Sequence, residues 1–286
     1  MCKLPASLDE GGRQSDIWHH RDQVPAMRDD QFIEAHRAPT GTPAERQDRM
    51  SLMHWQLHNV DALPWLLEQS AGEFDALVTD PPYSSGGLHT KDRVKDRAND
   101  KYLNSPGLYP EFSGENRDQF SYLQWSTIWL TQAFRTLRDG APVLLFSDWR
   151  QLPVMSSALQ AAGFTWRGIV AWDKTEASRP QKGRFRQQAE FVVWGSKGPW
   201  HDADGPTQPG VFRVAVTAGG PKLHTTGKPV PLMEALVKVC PAGTILDPFA
   251  GSGTTGVAAV RSGRRFVGCE REEAYYKIAC DRLAGL

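Results

Sequence analysis

Two stretches of this chain end in the same way, and together they constrain what it can fold into. The run Phe74-Asp75-Ala76-Leu77-Val78-Thr79 passes directly into Asp80-Pro81-Pro82-Tyr83. A second apolar stretch ends at Asp247-Pro248-Phe249-Ala250-Gly251-Ser252-Gly253-Thr254-Thr255, a glycine-rich turn that opens a helix. At the first junction a carboxylate, a restricted backbone and an aromatic ring emerge together from the end of a buried strand. An architecture that collects strand ends along one edge brings two such junctions to one place.

The surrounding pattern predicts such an architecture. Strands are expected at Trp55–Asn59, Phe74–Thr79, Pro142–Ser147, Gly168–Trp172, Ala189–Trp194, Thr244–Leu246 and Arg265–Cys269. Helices are expected at Ala62–Gln69, Tyr122–Leu137, Gln151–Ala162, Pro231–Val239 and Thr254–Arg261, with a last one from about Glu273. Strand-helix alternation of this kind predicts a doubly wound, Rossmann-like α/β sheet with ligands outside its carboxyl ends. Residues 1–50 are rich in charge, Pro and Gly and predict a flexible or partly helical arm preceding one domain, 51–286. Residues 84–120 exceed an ordinary connection and read as an inserted loop beside the site.

Charge and cysteine content narrow the function. Lys plus Arg and Asp plus Glu are both 33, so any nucleic-acid binding needs a local basic face. Cys2, Cys240, Cys269 and Cys280 have no metal-ligand spacing and read as reduced thiols, and no metal is expected. No apolar run has the length of a membrane helix and the N-terminus lacks a secretion signal, so a cytoplasmic protein with no membrane partner is expected.

Gly251 and Gly253 let backbone approach a ligand at a strand-to-helix turn, although a lone Gly-x-Gly serves as often for packing. Glu270 ends the next strand, where a carboxylate can accept hydrogen bonds from both ribose hydroxyls of an adenosine cofactor. The run Gly-Ser-Gly-Thr-Thr lacks the lysine of a triphosphate loop, which argues against phosphoryl transfer. Of a dinucleotide and S-adenosylmethionine, the absence of a third spaced glycine and the presence of Asp247, able to position an ammonium, favour the latter.

The two motifs together resemble those of the β-class DNA amino-methyltransferases, which modify the exocyclic nitrogen of adenine or cytosine with S-adenosylmethionine. The order, with Asp-Pro-Pro-Tyr ahead of the glycine-rich element, is similar to that group's circularly permuted arrangement, and the match spans roughly residues 54–284. Asn59-Val60-Asp61-Ala62 resembles the strand whose acidic end helps hold the cofactor adenine, and Thr226-Gly227-Lys228-Pro229 the segment before the cofactor strand. Trp172-Asp173-Lys174 and Glu190-Phe191-Val192-Val193 are similar to the group's target-side strands. The resemblance implies cofactor contacts from Asp61, Ala62, Lys228, Asp247, Phe249, Ala250, Gly251, Ser252, Gly253, Thr254 and Glu270. It also implies double-stranded DNA as partner and is compatible with a homodimer. Only about residues 196–224 remain for target recognition, so specificity is expected to be relaxed or to reside in the insertion.

An exocyclic amine is a poor nucleophile because its lone pair is delocalised into the ring. Asp80 and the Pro81 carbonyl can accept its two hydrogens and turn that lone pair toward a methyl donor, while Pro82 stiffens the turn and Tyr83 stacks on a base taken out of the duplex. Aspartate at the first motif position resembles adenine-N6 enzymes more than cytosine-N4 enzymes. Cytosine, an RNA base and a catalytically inactive DNA-binding module stay open as alternatives. Lys174, Arg179, Lys182, Arg184 and Arg186 form a basic segment expected to meet phosphates.

Overall fold

The structure is a computed structural model that describes residues 54–84, 117–178, 182–200, 206–216 and 227–286. All of them belong to one compact unit, Ser51–Leu286. The expected arm, nearly all of the expected insertion, parts of the expected recognition segment, and Arg179 lie outside the described residues.

Chain order is β1 (Trp55–His58), α1 (Ala62–Glu68), β2 (Ala76–Thr79), α2 (Gln119–Thr136), β3 (Pro142–Ser147), α3 (Leu152–Ala161), β4 (Thr165–Asp173) and β5 (Ala189–Ser196). Then come β6 (Val211–Arg213), α4 (Val230–Leu236), β7 (Thr244–Asp247), α5 (Thr254–Arg261), β8 (Arg265–Cys269) and α6 (Glu273–Ala284). The strands form one eight-stranded sheet in the order β1-β8-β7-β2-β3-β5-β4-β6.

Side chains of a strand alternate between faces, and the central strands use both. Leu77, Val143 and Leu145 pack on one face with α1, α2 and α3. Ala76, Val78, Leu144 and Phe146 pack on the other with α4, α5 and α6. Burial on two faces is why these segments read as continuous apolar runs, and it is what doubly wound means physically.

The structure refines several expected boundaries. Helix α2 begins at Gln119 rather than Tyr122 because the Asp118 carboxylate caps it, accepting from the Ser121 amide at 2.9 Å. Strand β4 extends from Thr165 through a bulge between Trp166 and Gly168. Strand β6 lies in the glycine- and proline-rich stretch where the pattern was least informative.

Asp75 interrupts an apolar run for a reason. Its carboxylate accepts from the Thr244 amide at 2.7 Å and pairs with Arg138 at 2.6 Å, clamping the entry of β2 to the start of β7.

β5 runs antiparallel to both of its neighbours, β3 and β4. The described residues of the connection from β4 contain no crossover helix, and β5 returns beside β4 in the opposite sense. Its amino end, Ala189-Glu190, therefore lies at the edge where β1, β2, β3, β4, β7 and β8 present their carboxyl ends.

Candidate active site

That edge carries a row of polar groups. Asp61 follows β1, Glu270 follows β8, Asp247 ends β7, Asp80 follows β2, Asp148 follows β3, Glu190 begins β5 and Lys174 follows β4. Six of these seven, Asp247 excepted, line a cleft of about 310 Å³, together with Pro81, Pro82, Tyr83, Phe249, Gly251 and Lys228. A smaller hollow next to it is lined by Asp80, Lys228, Asp247, Ala250, Ser252 and Thr254.

In the half built on β1, β7 and β8, the glycine-rich turn is tied down from several sides. Glu270 accepts from the Gly251 amide at 2.9 Å through one carboxylate oxygen and from the Glu272 amide at 2.8 Å through the other. Burial raises its proton affinity. Arg282, from the last helix, donates to the Ser252 carbonyl at 2.5 Å and to the Thr254 hydroxyl at 3.1 Å. Asp61 caps α1 through the Leu63 amide at 3.1 Å, and Ala62 is buried behind it.

The two glycines serve different ends. Gly253 has φ +79°, and a Cβ there would lie 2.9 Å from the Cβ of Ala279, so close packing of α6 requires it. Gly251 has φ +52°, and a Cβ there would meet nothing within 4 Å. Its bare face borders the cleft. The pair thus separates into a packing glycine and one that borders the cleft.

Asp247 is buried beneath this turn. It accepts from the Thr79 hydroxyl at 2.6 Å and from the Phe249 amide at 3.0 Å, locking the ends of β2 and β7 together. Burial pushes its pKa up to about 6. Phe249 meets Trp129 edge-on at 5.0 Å between ring centres and Trp125 at 5.6 Å, so α2 lays an aromatic floor under the cleft.

In the other half, Asp80 is held at both oxygens. The Tyr83 hydroxyl donates to Oδ1 at 2.6 Å and the Lys228 ammonium to Oδ2 at 2.5 Å. Lys228 also lies 3.4 Å from Glu190, which in turn pairs with Lys174 at 3.1 Å. These groups are shielded from solvent, which makes each charge expensive without its partner. Burial raises the proton affinity of Asp80, while the flanking lysines outweigh burial at Glu190 and hold it below the usual carboxylate range. Lys228 is held above the usual lysine value by the two carboxylates, against the pull of burial.

The structure thus gathers Asp80, Pro81, Pro82 and Tyr83 with Asp61, Ala62, Lys228, Phe249, Gly251 and Glu270 around one cleft. Lys228, expected beside the cofactor, makes its closest ionic contact with Asp80. Ala250, Ser252 and Thr254 face the smaller hollow. The basic residues divide. Lys174 is committed to Glu190, and Arg186 donates to the Glu176 and Ser178 carbonyls of its own loop. Lys182 and Arg184 are exposed beside Phe185, whose side chain is 98% accessible.

Three contributors are not among the site residues expected from the sequence, although Glu190 stands there in a target-side strand. Glu190 is one, and a rule applied to strand direction could have found it, since an antiparallel strand offers its first residues at this edge. Trp149, half exposed at the rim and bonded through its indole N–H to Gln187 at 3.1 Å, is another. Arg282 is the third, and nothing in its local sequence marks it.

The chain is similar in sequence and fold to known methyltransferases. Type II methyltransferase M2.DpnII of Streptococcus pneumoniae is 28% identical over 265 residues, covering 84% of this chain and 92% of that protein. Among solved structures, the M1.HpyAVI–SAM complex matches with TM-score 0.58 at 22% identity, covering 80% of this chain and 98% of that one. PvuII DNA methyltransferase, described as cytosine-N4-specific, matches with TM-score 0.58 at 16% identity, covering 80% and 86%. Residues 74–281, which include both strand-end motifs and all of the ionic cluster, match the DNA methylase family of N6 and N4 methyltransferases, and the chain belongs to that family.

Proposed function

We propose that this DNA methyltransferase transfers a methyl group from S-adenosylmethionine to the exocyclic N6 of an adenine turned out of double-stranded DNA. The observation that carries the reading is Asp80, a shielded carboxylate fixed at both oxygens in the same cleft as Gly251 and Glu270. Glu270 and Asp61 would hold the adenosine portion of the cofactor, and the open face of Gly251 accommodates its approach. S-adenosylmethionine would supply an electrophilic methyl group on a sulfonium, whose S–CH3 bond breaks as the N–C bond forms, the electron pair leaving with the neutral thioether S-adenosylhomocysteine.

The chain supplies geometry and a proton acceptor. Each oxygen of Asp80 has a second lone pair, so the carboxylate and the Pro81 carbonyl can take the two amino hydrogens and leave the nitrogen lone pair free to form the new N–C bond. The methylated nitrogen must then shed one proton. Asp80, its proton affinity raised by burial, receives it. The Tyr83 ring is pinned by its own hydroxyl, and Lys228 lies 5.2 Å from its centre. The target base stacks on the ring face away from that ammonium.

Asp at the first motif position favours adenine. A second reading, cytosine N4, draws support from the likeness to PvuII methyltransferase, which matches as well in fold as any other neighbour reported above. The segments 84–120 and 196–224 are assigned to target recognition, and a homodimer is the proposed assembly. Lys182 and Arg184 are assigned to phosphate contact. The test is transfer of labelled methyl from S-adenosylmethionine to unmethylated duplex. Asp80→Asn keeps the shape of the site but loses the anion, and transfer must fall at least ~100-fold on the scale of a lost charge-stabilising group. Transfer at the wild-type rate would end the proposal.

A further inference from the structure

Among the described residues, the ions around Asp80 form a linked, largely shielded set. On this edge Lys174 reaches Glu190 Oε1 at 3.1 Å, and Lys228 spans Glu190 Oε2 at 3.4 Å and Asp80 Oδ2 at 2.5 Å. The Tyr83 hydroxyl bonds to Asp80 and lies 3.5 Å from Glu190 Oε2. Two cations balance two anions. Four parts of the fold contribute: the turn after β2, the end of β4, the start of β5, and the segment leading into α4.

We propose that Glu190 is a positioning residue for methyl transfer, dividing the Lys228 ammonium between two carboxylates so that Lys228 grips Asp80 without wholly neutralising it. The inference rests on the assignment of Asp80 as acceptor of the amino hydrogens.

The argument is one of competition. Asp80 must stay a strong hydrogen-bond acceptor, and a lysine given to it alone would saturate one oxygen and drain its basicity. A lysine with no second partner would also be free to swing into the space meant for the base. Glu190 prevents both, because Lys174 fixes it from behind as a permanent anion. Two neighbouring carboxylates with divergent proton affinities take divergent roles, one spectator anion and one working acceptor. The directions at this site match: Glu190 is held low by its lysines and Asp80 is held high by burial.

Further described groups face the cluster. Asp247 and Asp80 interact, and Tyr122 acts on Tyr83 from α2. The rings of Tyr83 and Phe146 pack against the Lys228 ammonium at 5.2 and 5.0 Å.

The test is the pH profile of kcat on duplex DNA for wild type, Glu190→Gln, Glu190→Asp and Lys174→Gln. Removing the Glu190 charge takes repulsion from Asp80 and attraction from Lys228, so both limbs of the profile move to lower pH. In Glu190→Gln, kcat at the wild-type optimum falls on the order of tenfold. Glu190→Asp keeps the charge and restores the limbs to their wild-type positions. Lys174→Gln removes a cation and moves both limbs to higher pH, an opposite sign that general damage to the fold would not produce. Should Glu190→Gln fail to fold, the direction of the Lys174→Gln shift still decides. Lower kcat with unmoved limbs in the variants, or limbs moving the same way in both charge-removing variants, overturns the inference. Wild type inactive on DNA overturns the methyl-transfer reading itself, so the two failures are distinguishable.

Discussion

The two glycines of the turn after β7 predict a double dissociation between stability and cofactor affinity. At Gly253, alanine would have to hold φ +79° and place its Cβ 2.9 Å from that of Ala279. The left-handed conformation costs roughly 1–2 kcal/mol for a residue with a side chain. Overpacking in a core that must shift to make room adds about 1–3 kcal/mol. We therefore expect Gly253→Ala to lose about 2–5 kcal/mol, a fall in Tm of roughly 4–20 °C for a domain of this size. At Gly251, φ is +52° and the added methyl meets no protein atom within 4 Å, so only the conformational cost applies. Its stability loss is held to ~1–2 kcal/mol. The methyl enters the cleft, however, and S-adenosylmethionine binding should weaken at least ~10-fold, which is about 1.4 kcal/mol. The assay is thermal unfolding with and without S-adenosylmethionine, alongside titration calorimetry. Wild type gains about 2.7 kcal/mol of stability at a hundred times its Kd. Gly251→Ala must lose half or more of that gain at the same concentration. Undiminished binding by Gly251→Ala, or wild-type stability in Gly253→Ala, would refute the division of labour.

Further perturbations test other parts of the site. Burial raises the pKa of Asp247 to about 6 in the folded protein from the ordinary aspartate value of 3.8. The folded state thus holds this proton more tightly than the unfolded one, and its contribution is fully present below about pH 4 and lost as pH rises through about 6. Asp247→Asn should remove up to ~2 kcal/mol of that decline between pH 4.5 and 7, measured by urea unfolding at the two values. Thr79→Val leaves the Asp247 carboxylate short of one donor and should cost about 1–3 kcal/mol at pH 7 in the same assay. Arg282→Met frees the Ser252 carbonyl and Thr254 hydroxyl, and calorimetry should show S-adenosylmethionine affinity reduced by about tenfold or more. In Lys182→Ala/Arg184→Ala, the slope of log K for duplex DNA against log[salt] should fall in magnitude by about 2.

Much of the fold was legible because its central strands are buried on both faces, which imposes apolar runs ending at sharp turn signals. Helix α5 and strands β3 and β8 fall within the expected boundaries for that reason. The direction of β5 was not legible, since a strand carries the same residue pattern whichever way it runs. That direction is what brings Glu190 to Asp80, so the ionic cluster was invisible with it. The roles of Gly251 and Gly253 were equally hidden. Both are glycines at a turn, and only the position of Ala279 on a distant helix tells them apart. Lys228 shows the same limit. Its segment could be matched to the approach to the cofactor strand, but its ammonium reaches across the sheet edge to a carboxylate 148 positions earlier in the chain.

The most direct test of the account is to incubate the protein with S-adenosylmethionine and unmethylated duplex DNA, digest to nucleosides, and identify the methylated base by mass spectrometry beside an Asp80→Ala control. The account predicts N6-methyladenine that disappears in the control. N4-methylcytosine would keep the amine mechanism and transfer the assignment to the second reading. A carbon-methylated base, or amine methylation that survives loss of Asp80, would contradict the claim that this carboxylate prepares an exocyclic nitrogen for attack.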